Sequence, residues 1–223
     1  MSNSELTIEE LHSKLISHIE EQKKHWNSFI YAKKDLFYQG FDKINLKGCR
    51  STEKRFEQYS IESYLNKTQN ALDIGCNCGF FTLLISKYVN CITGVEINPY
   101  LINIAKDTQD FLKITNTEFH VSSFENFITE KKFDVVFSLA NDETVDGNTK
   151  FTFNEYIKKI MNISNPKSLL IFETMSQDTY FPERFEPKLS FLKENFEILE
   201  DRIIESEYPV NVPKRRFFIF RKL

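Results

Sequence analysis

The chain has 223 residues, of which 41% are hydrophobic, and its formal net charge is −3. This length fills one hydrophobic core and is short for two, and the many phenylalanines beside only six glycines exclude collagen-like and low-complexity classes. The sequence contains no long apolar run, and its first residues are polar and acidic, so we expect neither a membrane span nor a secretory signal. We therefore expect one compact cytoplasmic domain without a broad nucleic-acid surface.

Residues 1–66 are predicted to form an N-terminal extension that is helical and rich in aromatic residues. Thr7 to Glu10 match a capping box, and the apolar residues that follow recur at helical spacing, which predicts an amphipathic helix. Residues 25–50 show no clean period and are rich in aromatic side chains, so we expect them to pack over a ligand site as a lid. A second helix is predicted over about Ser51 to Leu65.

Residues 67–223 are predicted to form the core, because apolar runs there alternate with helical patterns. Such alternation is typical of an α/β fold with a mostly parallel sheet covered on both faces. Strands are predicted at 71–74, 91–95, 117–121, 133–138 and 168–173, helices at 79–89, 99–112, 152–163 and about 187–195, and two closing strands at 196–205 and 215–221.

The most informative motif runs from Ala71 to Thr82 and is typical of a buried strand that enters a glycine-bearing turn. Gly75 and Gly79 let the backbone bend and a ligand approach closely. A second strand ends in Glu96, 23 residues after Asp73, where an acid can bind both hydroxyls of a ribose. The pattern Asp-x-Gly-x-x-x-Gly differs from the Gly-x-Gly-x-x-Gly of dinucleotide enzymes, which disfavours a nicotinamide cofactor.

Together with two later segments, this motif resembles the class I S-adenosylmethionine-dependent methyltransferases. Residues 118–125 resemble the third strand and the loop that holds the adenine, and residues 133–141 resemble the strand whose end faces the transferred methyl group. The resemblance is clear over about residues 70–175. It implies a Rossmann-like sheet of seven mostly parallel strands that closes with an antiparallel hairpin, and S-adenosylmethionine as the cofactor, with S-adenosylhomocysteine as the product.

The resemblance also implies where the cofactor binds, since ligands of open parallel sheets lie beyond the carboxyl ends of the strands. The turn after Asp73 would hold the methionine part and Glu96 the ribose. Ile97 and Phe124 would sandwich the adenine, and Ser123 or Glu125 would bind its amino group. The predicted cofactor-binding residues are Arg50, Arg55, Asp73, Gly75, Cys76, Asn77, Gly79, Phe80, Glu96, Ile97, Ser123, Phe124, Glu125, Ala140 and Asn141.

Two arginines just before the first core strand are candidates for binding the cofactor carboxylate. A guanidinium suits a carboxylate because it donates two parallel hydrogen bonds. Arg50 or Arg55 would be this clamp, and the alternative is an exposed arginine near a helix start.

Methyl transfer to a hydroxyl also needs a base, and three acids are candidates. Asp142 and Glu143 follow the fourth strand, where burial would raise the pKa of a carboxylate. Both could equally belong to an ordinary exposed acidic loop. Glu173, at the end of the fifth strand, has the same ambiguity. The Asn-Pro-Pro-Tyr and Asp-Pro-Pro-Tyr motifs of base amino-group methylation are absent from the sequence, which disfavours DNA and many RNA base acceptors.

The four cysteines are Cys49, Cys76, Cys78 and Cys91. The Cys-x-Cys pair could suggest a metal, but without a nearby histidine cluster it cannot complete a tetrahedral site, so we expect no metal. Small packing residues in a reducing compartment are the favoured interpretation.

Basic residues are concentrated near both ends of the chain. Residues 21–55 carry nine lysines and arginines against four acids, and a second cluster spans Lys214 to Lys222. Both could be solvated surface, or they could meet at the mouth of a site for an anionic substrate. The leading hypothesis is therefore methylation of a small, anionic metabolite, with a sugar or polysaccharide-precursor hydroxyl favoured. A tRNA methyltransferase and an inactive cofactor-binding partner subunit are the alternatives.

Overall fold

The structure, a computed structural model, describes residues 6–31, 37–143, 149–207 and 213–223. The helices are α1 (Ile8–His25), α2 (Thr52–Tyr59), α3 (Phe80–Ile85), α4 (Pro99–Phe111), α5 (Phe153–Ile163), α6 (Ser176–Tyr180) and α7 (Pro182–Asn195). The strands are β1 (Phe37–Gly40), β2 (Gly48–Ser51), β3 (Asn70–Ile74), β4 (Cys91–Glu96), β5 (Thr117–Val121), β6 (Phe133–Leu139), β7 (Ser164–Glu173), β8 (Phe196–Glu205) and β9 (Lys214–Lys222).

The main sheet has seven strands in the order β5-β4-β3-β6-β7-β9-β8. Strands β3 to β7 pair in parallel, and β9 runs antiparallel to both β7 and β8. The chain moves outward from β3 to β5 and then crosses back to β6. This reversal lies between β3 and β6 and opens a crevice at the carboxyl ends of the strands. The predicted fold class is confirmed.

Two apolar clusters cover the two faces of the sheet. One cluster includes Leu83 of α3 and Ile104 of α4, and the other includes Ile160 of α5 and Leu192 of α7. A parallel sheet buried on both faces fits the continuous apolar runs that predicted its strands. Within the described ranges, no helix combines the length and the apolar character that crossing a bilayer requires.

Helix α1 begins at the predicted capping box. The hydroxyl of Thr7 accepts a hydrogen bond from the backbone of Glu10, whose carboxylate accepts one from the backbone of Thr7. Leu11 and Leu15 are fully buried, and the helix packs against α4, where Lys14 Nζ lies 2.6 Å from Asp107 Oδ1. The extension therefore shares the core of the main sheet, and the boundary at residue 66 stays a prediction.

The described part of the predicted lid segment forms a small parallel sheet, in which Gln39 of β1 is opposite Arg50 of β2. The side chain of Gln39 links this sheet to the glycine turn, because Oε1 accepts a hydrogen bond from Phe80 N (3.3 Å) and Nε2 donates one to Cys76 O (3.5 Å). Residues 32–36 of the segment lie outside the described residues.

Three predicted helix boundaries were wrong. Helix α3 ends at Ile85, not at residue 89. Helix α2 ends at Tyr59, not near Leu65, because Ser60 adopts a left-handed conformation with φ of 46° that closes the helix. Helix α7 begins at Pro182, not near residue 187. Proline is common at the first position of a helix. Pro182 has this position in α7, and Pro187 lies inside the helix.

Candidate active site

A cavity that is partly open to solvent lies at the switch point of the sheet. The carboxyl ends of β3, β4 and β6 surround it, and the N-terminal extension covers part of it. Its lining residues are Tyr31, Tyr38, Gln39, Arg55, Asp73, Gly75, Cys76, Asn77, Phe81, Glu96, Leu139, Ala140 and Asn141.

The turn after β3 requires glycine at position 75. Gly75 has φ of +66°, and a Cβ at this position would lie 2.6 Å from Asn141 Oδ1. The amide of Asn141 lies over the turn because its Nδ2 donates a hydrogen bond to Ile74 O. Glycine therefore permits the close approach of β3 and the segment after β6 at the floor of the cavity.

Gly79 has a different role from Gly75. It precedes α3 with φ of +70°, and a Cβ there would lie 2.6 Å from Ala105 Cβ and 2.7 Å from the ring of Phe119. Gly79 therefore allows close packing of α3 against α4 and β5. It does not line the cavity, and neither does Phe80, which is fully buried beneath it.

Glu96 is buried at the end of β4, and two backbone groups fix its orientation. Its Oε2 accepts a hydrogen bond from Asn77 N at 3.1 Å, and its Oε1 accepts one from Asn98 N at 3.0 Å. A carboxylate has about four acceptor positions, so these two bonds orient the group and still permit hydrogen bonds to the hydroxyls of a ribose.

Asp73 lies at the other side of the turn. Its carboxylate accepts a hydrogen bond from Thr82 Oγ1 at 2.6 Å and is 3% exposed. Burial raises the pKa of Asp73 to about 6, although the Thr82 hydroxyl and the Arg55 charge act in the opposite direction. This carboxyl group therefore changes its charge just below neutral pH.

We predict that binding of S-adenosylhomocysteine weakens as the pH falls through about 6, the folded pKa of Asp73. An ionised carboxylate at this position would attract the ammonium group of the ligand, and protonation would remove this attraction, so affinity should fall by up to about tenfold per pH unit below that value. Calorimetry from pH 5 to 8 measures the profile. Asp73→Asn should bind more weakly with a flat profile, and an equal slope in this variant would contradict the assignment.

A second depression lies beside the end of β5 and includes Ile97, Ser123 and Glu125. Ser123 Oγ is buried and makes no hydrogen bond to any described residue. Glu125, in contrast, accepts hydrogen bonds from Thr149 Oγ1 (3.3 Å) and from the backbone N–H of Lys150. Of the two candidates for the adenine amino group, Ser123 is the one whose side-chain oxygen has no partner among the described residues, while the Glu125 carboxylate keeps some of its acceptor positions.

The structure places Phe124 in the core and not in either depression. The side chain is fully buried, and its ring packs against Tyr156 at a centroid distance of 5.1 Å. The chain turns after β5 so that Ser123 lies beside the depression and Phe124 points beneath the sheet. Of the two residues predicted to sandwich the adenine, Ile97 lies in the second depression and Phe124 does not.

These features fit the predicted cofactor. Asn77 Oδ1 in the cavity and Ser123 Oγ in the second depression are both buried without a hydrogen-bond partner among the described residues. Buried polar atoms normally have partners, so such orphan atoms suggest a ligand. An acid at the ribose position and an acid at the amino-acid position complete a set suited to a nucleoside joined to an amino acid.

Arg50 and Arg55 both contact Glu173. Arg50 Nη1 and Nη2 lie 3.2 and 3.3 Å from the two carboxylate oxygens, and Arg55 Nη2 lies 3.5 Å from Oε2. Burial would raise the pKa of Glu173, but Arg50, Arg55 and Arg215 lower it to about 2. This is the environment of a permanently ionised anchor and does not suit a base. Only Arg55 of the two lines the cavity, so it is the better candidate for the carboxylate clamp.

Asp142 is buried in an ion pair next to the cavity, which its neighbour Asn141 lines. It is 1% exposed, its Oδ2 lies 2.6 Å from Lys188 Nζ, and its Oδ1 has no hydrogen-bond partner among the described residues. Burial raises the pKa of Asp142, and Lys188 partly offsets this. Glu143 is half-exposed and pairs with Arg184 and Lys188. Residues 144–148 of this loop lie outside the described residues.

Several residues of the site could not be identified from sequence patterns. Gln39 and Tyr38 line the cavity from an aromatic segment without a clear period, and Lys188 pairs with Asp142 from a helix distant in sequence. All four cysteines are free, and the part of the chain that the structure describes contains no group of three or more potential metal ligands.

Comparison with known proteins identifies the family. A family model described as "Methyltransferase domain" matches residues 65–210. Malonyl-[acyl-carrier protein] O-methyltransferase 2 of Ilyobacter polytropus is 29% identical over 150 residues, which cover 63% of this chain and 55% of that protein. The chain thus spans about half the length of this relative. The 23S rRNA (uracil(1939)-C(5))-methyltransferase RlmD of Francisella tularensis is 34% identical over 70 residues, covering 31% of this chain and 16% of that protein.

Solved structures show the same fold. N-methyltransferase NodS from Bradyrhizobium japonicum, in complex with S-adenosylhomocysteine, matches with a TM-score of 0.59 at 18% identity and covers 76% of this chain and 86% of that chain. A putative class I methyltransferase from Listeria monocytogenes matches with a TM-score of 0.61 at 19% identity, covering 97% of this chain and 68% of that chain. With the family model and the geometry of the cavity, these matches confirm the prediction: the chain belongs to the class I S-adenosylmethionine-dependent methyltransferases.

Proposed function

We propose that the protein transfers a methyl group from S-adenosylmethionine to an oxygen atom of a small, anionic acceptor. The observation that carries this proposal is the cavity that is lined both by Glu96, fixed by two backbone N–H groups, and by the buried Arg55. The relative named malonyl-[acyl-carrier protein] O-methyltransferase 2 supports oxygen as the acceptor atom. A sugar or polysaccharide-precursor hydroxyl stays the favoured acceptor, and the cytoplasm stays the proposed compartment.

Different residues would bind different parts of the cofactor. Asp73 and Arg55 would hold the ammonium and the carboxylate of the methionine part, Glu96 the ribose and Ser123 the adenine. When bound, the cofactor supplies an electrophilic methyl group on a sulfonium.

Ala140 adopts φ of 62°, a strained conformation for a residue other than glycine. Its N–H donates to Glu173 O at 2.8 Å, which fixes the end of β6 at the cavity.

Asp142 is the proposed base for a hydroxyl acceptor. Its raised pKa and unpaired Oδ1 suit a group that takes up a proton, and its neighbour Asn141 lines the cavity. We expect Asp142→Asn to lower kcat by about a hundredfold or more and to leave the affinity for S-adenosylhomocysteine unchanged. Asp110→Asn, on the exposed face of α4, is the matched control and should keep full activity.

Radiolabelled S-adenosylmethionine offered with phosphorylated sugars, sugar nucleotides, malonyl-acyl carrier protein and tRNA tests the proposal. Label is expected in an anionic small molecule. Label in tRNA alone, with salt-dependent binding, would instead support the RNA hypothesis. Binding of S-adenosylhomocysteine without turnover on any acceptor would support the inactive partner subunit.

A further inference from the structure

Three buried arginines surround one buried carboxylate beside the cavity. Arg50, Arg55 and Arg215 are 3%, 7% and 5% exposed, and Glu173 is fully buried. Each guanidinium keeps its charge, and the nearby carboxylates are Glu173 and Asp73, which interacts with Arg55, so at most two of the three positive charges are compensated. Glu207 is a nearby acid, but it pairs with Lys54 at 2.8 Å. Uncompensated buried charge is costly, so this surplus indicates a place for an anion.

Arg50 donates to both oxygens of Glu173, whereas Arg55 and Arg215 each lie near one of them. Oε2 lies 3.5 Å from Arg55, which lines the cavity together with Asp73. Oε1 lies 3.5 Å from Arg215 Nε and 3.2 Å from Arg50 Nη1. Arg55 therefore lies on the side of Glu173 that faces the cavity and Asp73. Arg215 lies at the other carboxylate oxygen.

Arg215 is the least satisfied of the three arginines. Its Nε is close enough to Glu173 for charge attraction but is not aligned for a hydrogen bond, and neither Nε nor Nη1 donates one to any residue that the structure describes. Arg50, in contrast, donates to both oxygens of Glu173 and to the Tyr38 hydroxyl, which lines the cavity. A buried N–H group without an acceptor destabilises the folded protein. Of the three arginines, Arg215 is therefore the one whose N–H groups are best suited to bind a ligand.

The position of Arg215 in the sheet suits an acceptor. Strand β9 begins beside the carboxyl end of β7, where Thr174 N donates a hydrogen bond to Arg216 O at 2.9 Å. This is the edge of the sheet at which the cavity opens. Along β9, side chains alternate between the two faces of the sheet, so Arg215 lies on the face opposite to Arg216, which pairs with Asp201 at 2.7 Å.

We infer that Arg215 is the specificity-determining residue for the acceptor and binds its carboxylate or phosphate group through two parallel hydrogen bonds. This inference rests on the proposed function and adds the anionic group and its binding residue. A guanidinium matches both groups in the same bidentate geometry. Arg55 would bind the cofactor carboxylate, and Arg215 would bind the anionic group of the acceptor. The two anions would therefore bind to different arginines, with Glu173 between them, and would not compete for one guanidinium.

Calorimetry with malonate and with inorganic phosphate tests the inference on protein saturated with S-adenosylhomocysteine, at an ionic strength matched with chloride. The wild type should bind at least one of the two anions, and the stronger one identifies the group. Arg215→Gln should bind it about tenfold more weakly or worse, since a charged hydrogen bond is lost. Arg221→Gln, on the same strand and paired with Glu197 at the surface, is the matched control and should bind like the wild type.

Two results would overturn the inference: equal anion affinity in Arg215→Gln, or no anion binding by the wild type once S-adenosylhomocysteine is bound. Failure of the wild type to bind S-adenosylhomocysteine is a separate result and would remove the proposed function itself. Binding of S-adenosylhomocysteine also verifies that Arg215→Gln is folded. If Arg215→Gln does not fold, Arg215→Lys is used, which keeps the positive charge but cannot donate two parallel hydrogen bonds. Its affinity for the anion should fall severalfold, and unchanged affinity would also overturn the inference.

Discussion

Glu96→Gln should lower the affinity for S-adenosylhomocysteine by about a hundredfold while the fold is retained. The amide presents one acceptor oxygen in place of two, and its NH₂ group would face a backbone N–H, of Asn77 or of Asn98, whichever way it turns. The variant thus loses the charge and part of the geometry at the position assigned to the ribose. Calorimetry measures the affinity, and circular dichroism checks the fold.

Glu118→Gln is the matched control for this experiment. Glu118 lies on the neighbouring strand β5, is exposed, and pairs with Lys131 at 2.6 Å. The same chemical change at this surface position should leave S-adenosylhomocysteine binding unchanged. If Glu96→Gln bound the ligand as tightly as the wild type did, the ribose would have to be held elsewhere and the assignment of the whole cavity would fail.

Glu173→Gln should lower the free energy of unfolding by about 3–5 kcal/mol, because it leaves buried guanidinium groups without their counter-ion. The contribution of Glu173 also depends on pH. Since its pKa is lowered from 4.5 to about 2 in the folded protein, the stabilisation is present above pH 4.5 and is lost as the pH falls toward 2. Urea unfolding of wild type and variant across this range should show the two curves converging at acid pH.

Glu197→Gln serves as the control, because Glu197 is exposed and pairs with Arg221 only at the surface. Its effect should stay within about 0.5 kcal/mol. A Glu173→Gln protein that is as stable as the wild type but inactive in methyl transfer would instead support the hypothesis that Glu173 is the base.

Much of the fold could be predicted because local patterns and tertiary structure agree. The apolar run before Gly75 and the one before Glu96 are short and continuous, which is typical of strands buried on both faces, and the chain between them has helical period. The capping box at Thr7 is equally local, and the first helix begins there. In each case the residues that determine the element lie within it.

The contacts inside the site were harder to predict because they depend on residues far apart in sequence. Nothing near Glu173 shows that three arginines surround it, and without them a carboxylate at the end of a strand is a reasonable base. Phe124 illustrates the same problem at shorter range. A single turn of backbone after β5 decides which of two adjacent side chains faces the ligand, and periodicity does not resolve such a turn.

The arginine cluster also constrains when the protein can acquire its cofactor. Arg50 and Glu173 are 123 residues apart in the chain, and Arg215 enters only with the last strand. Contacts of such long range form late in folding, after the loops between them have closed. During synthesis on the ribosome, the glycine turn leaves the exit tunnel early, but Arg55, the proposed carboxylate clamp, lacks Glu173 until β7 has emerged and Arg215 until β9 has emerged. Cofactor binding by a nascent chain would therefore report that β9 has joined the sheet, which is a late step in the folding of this domain.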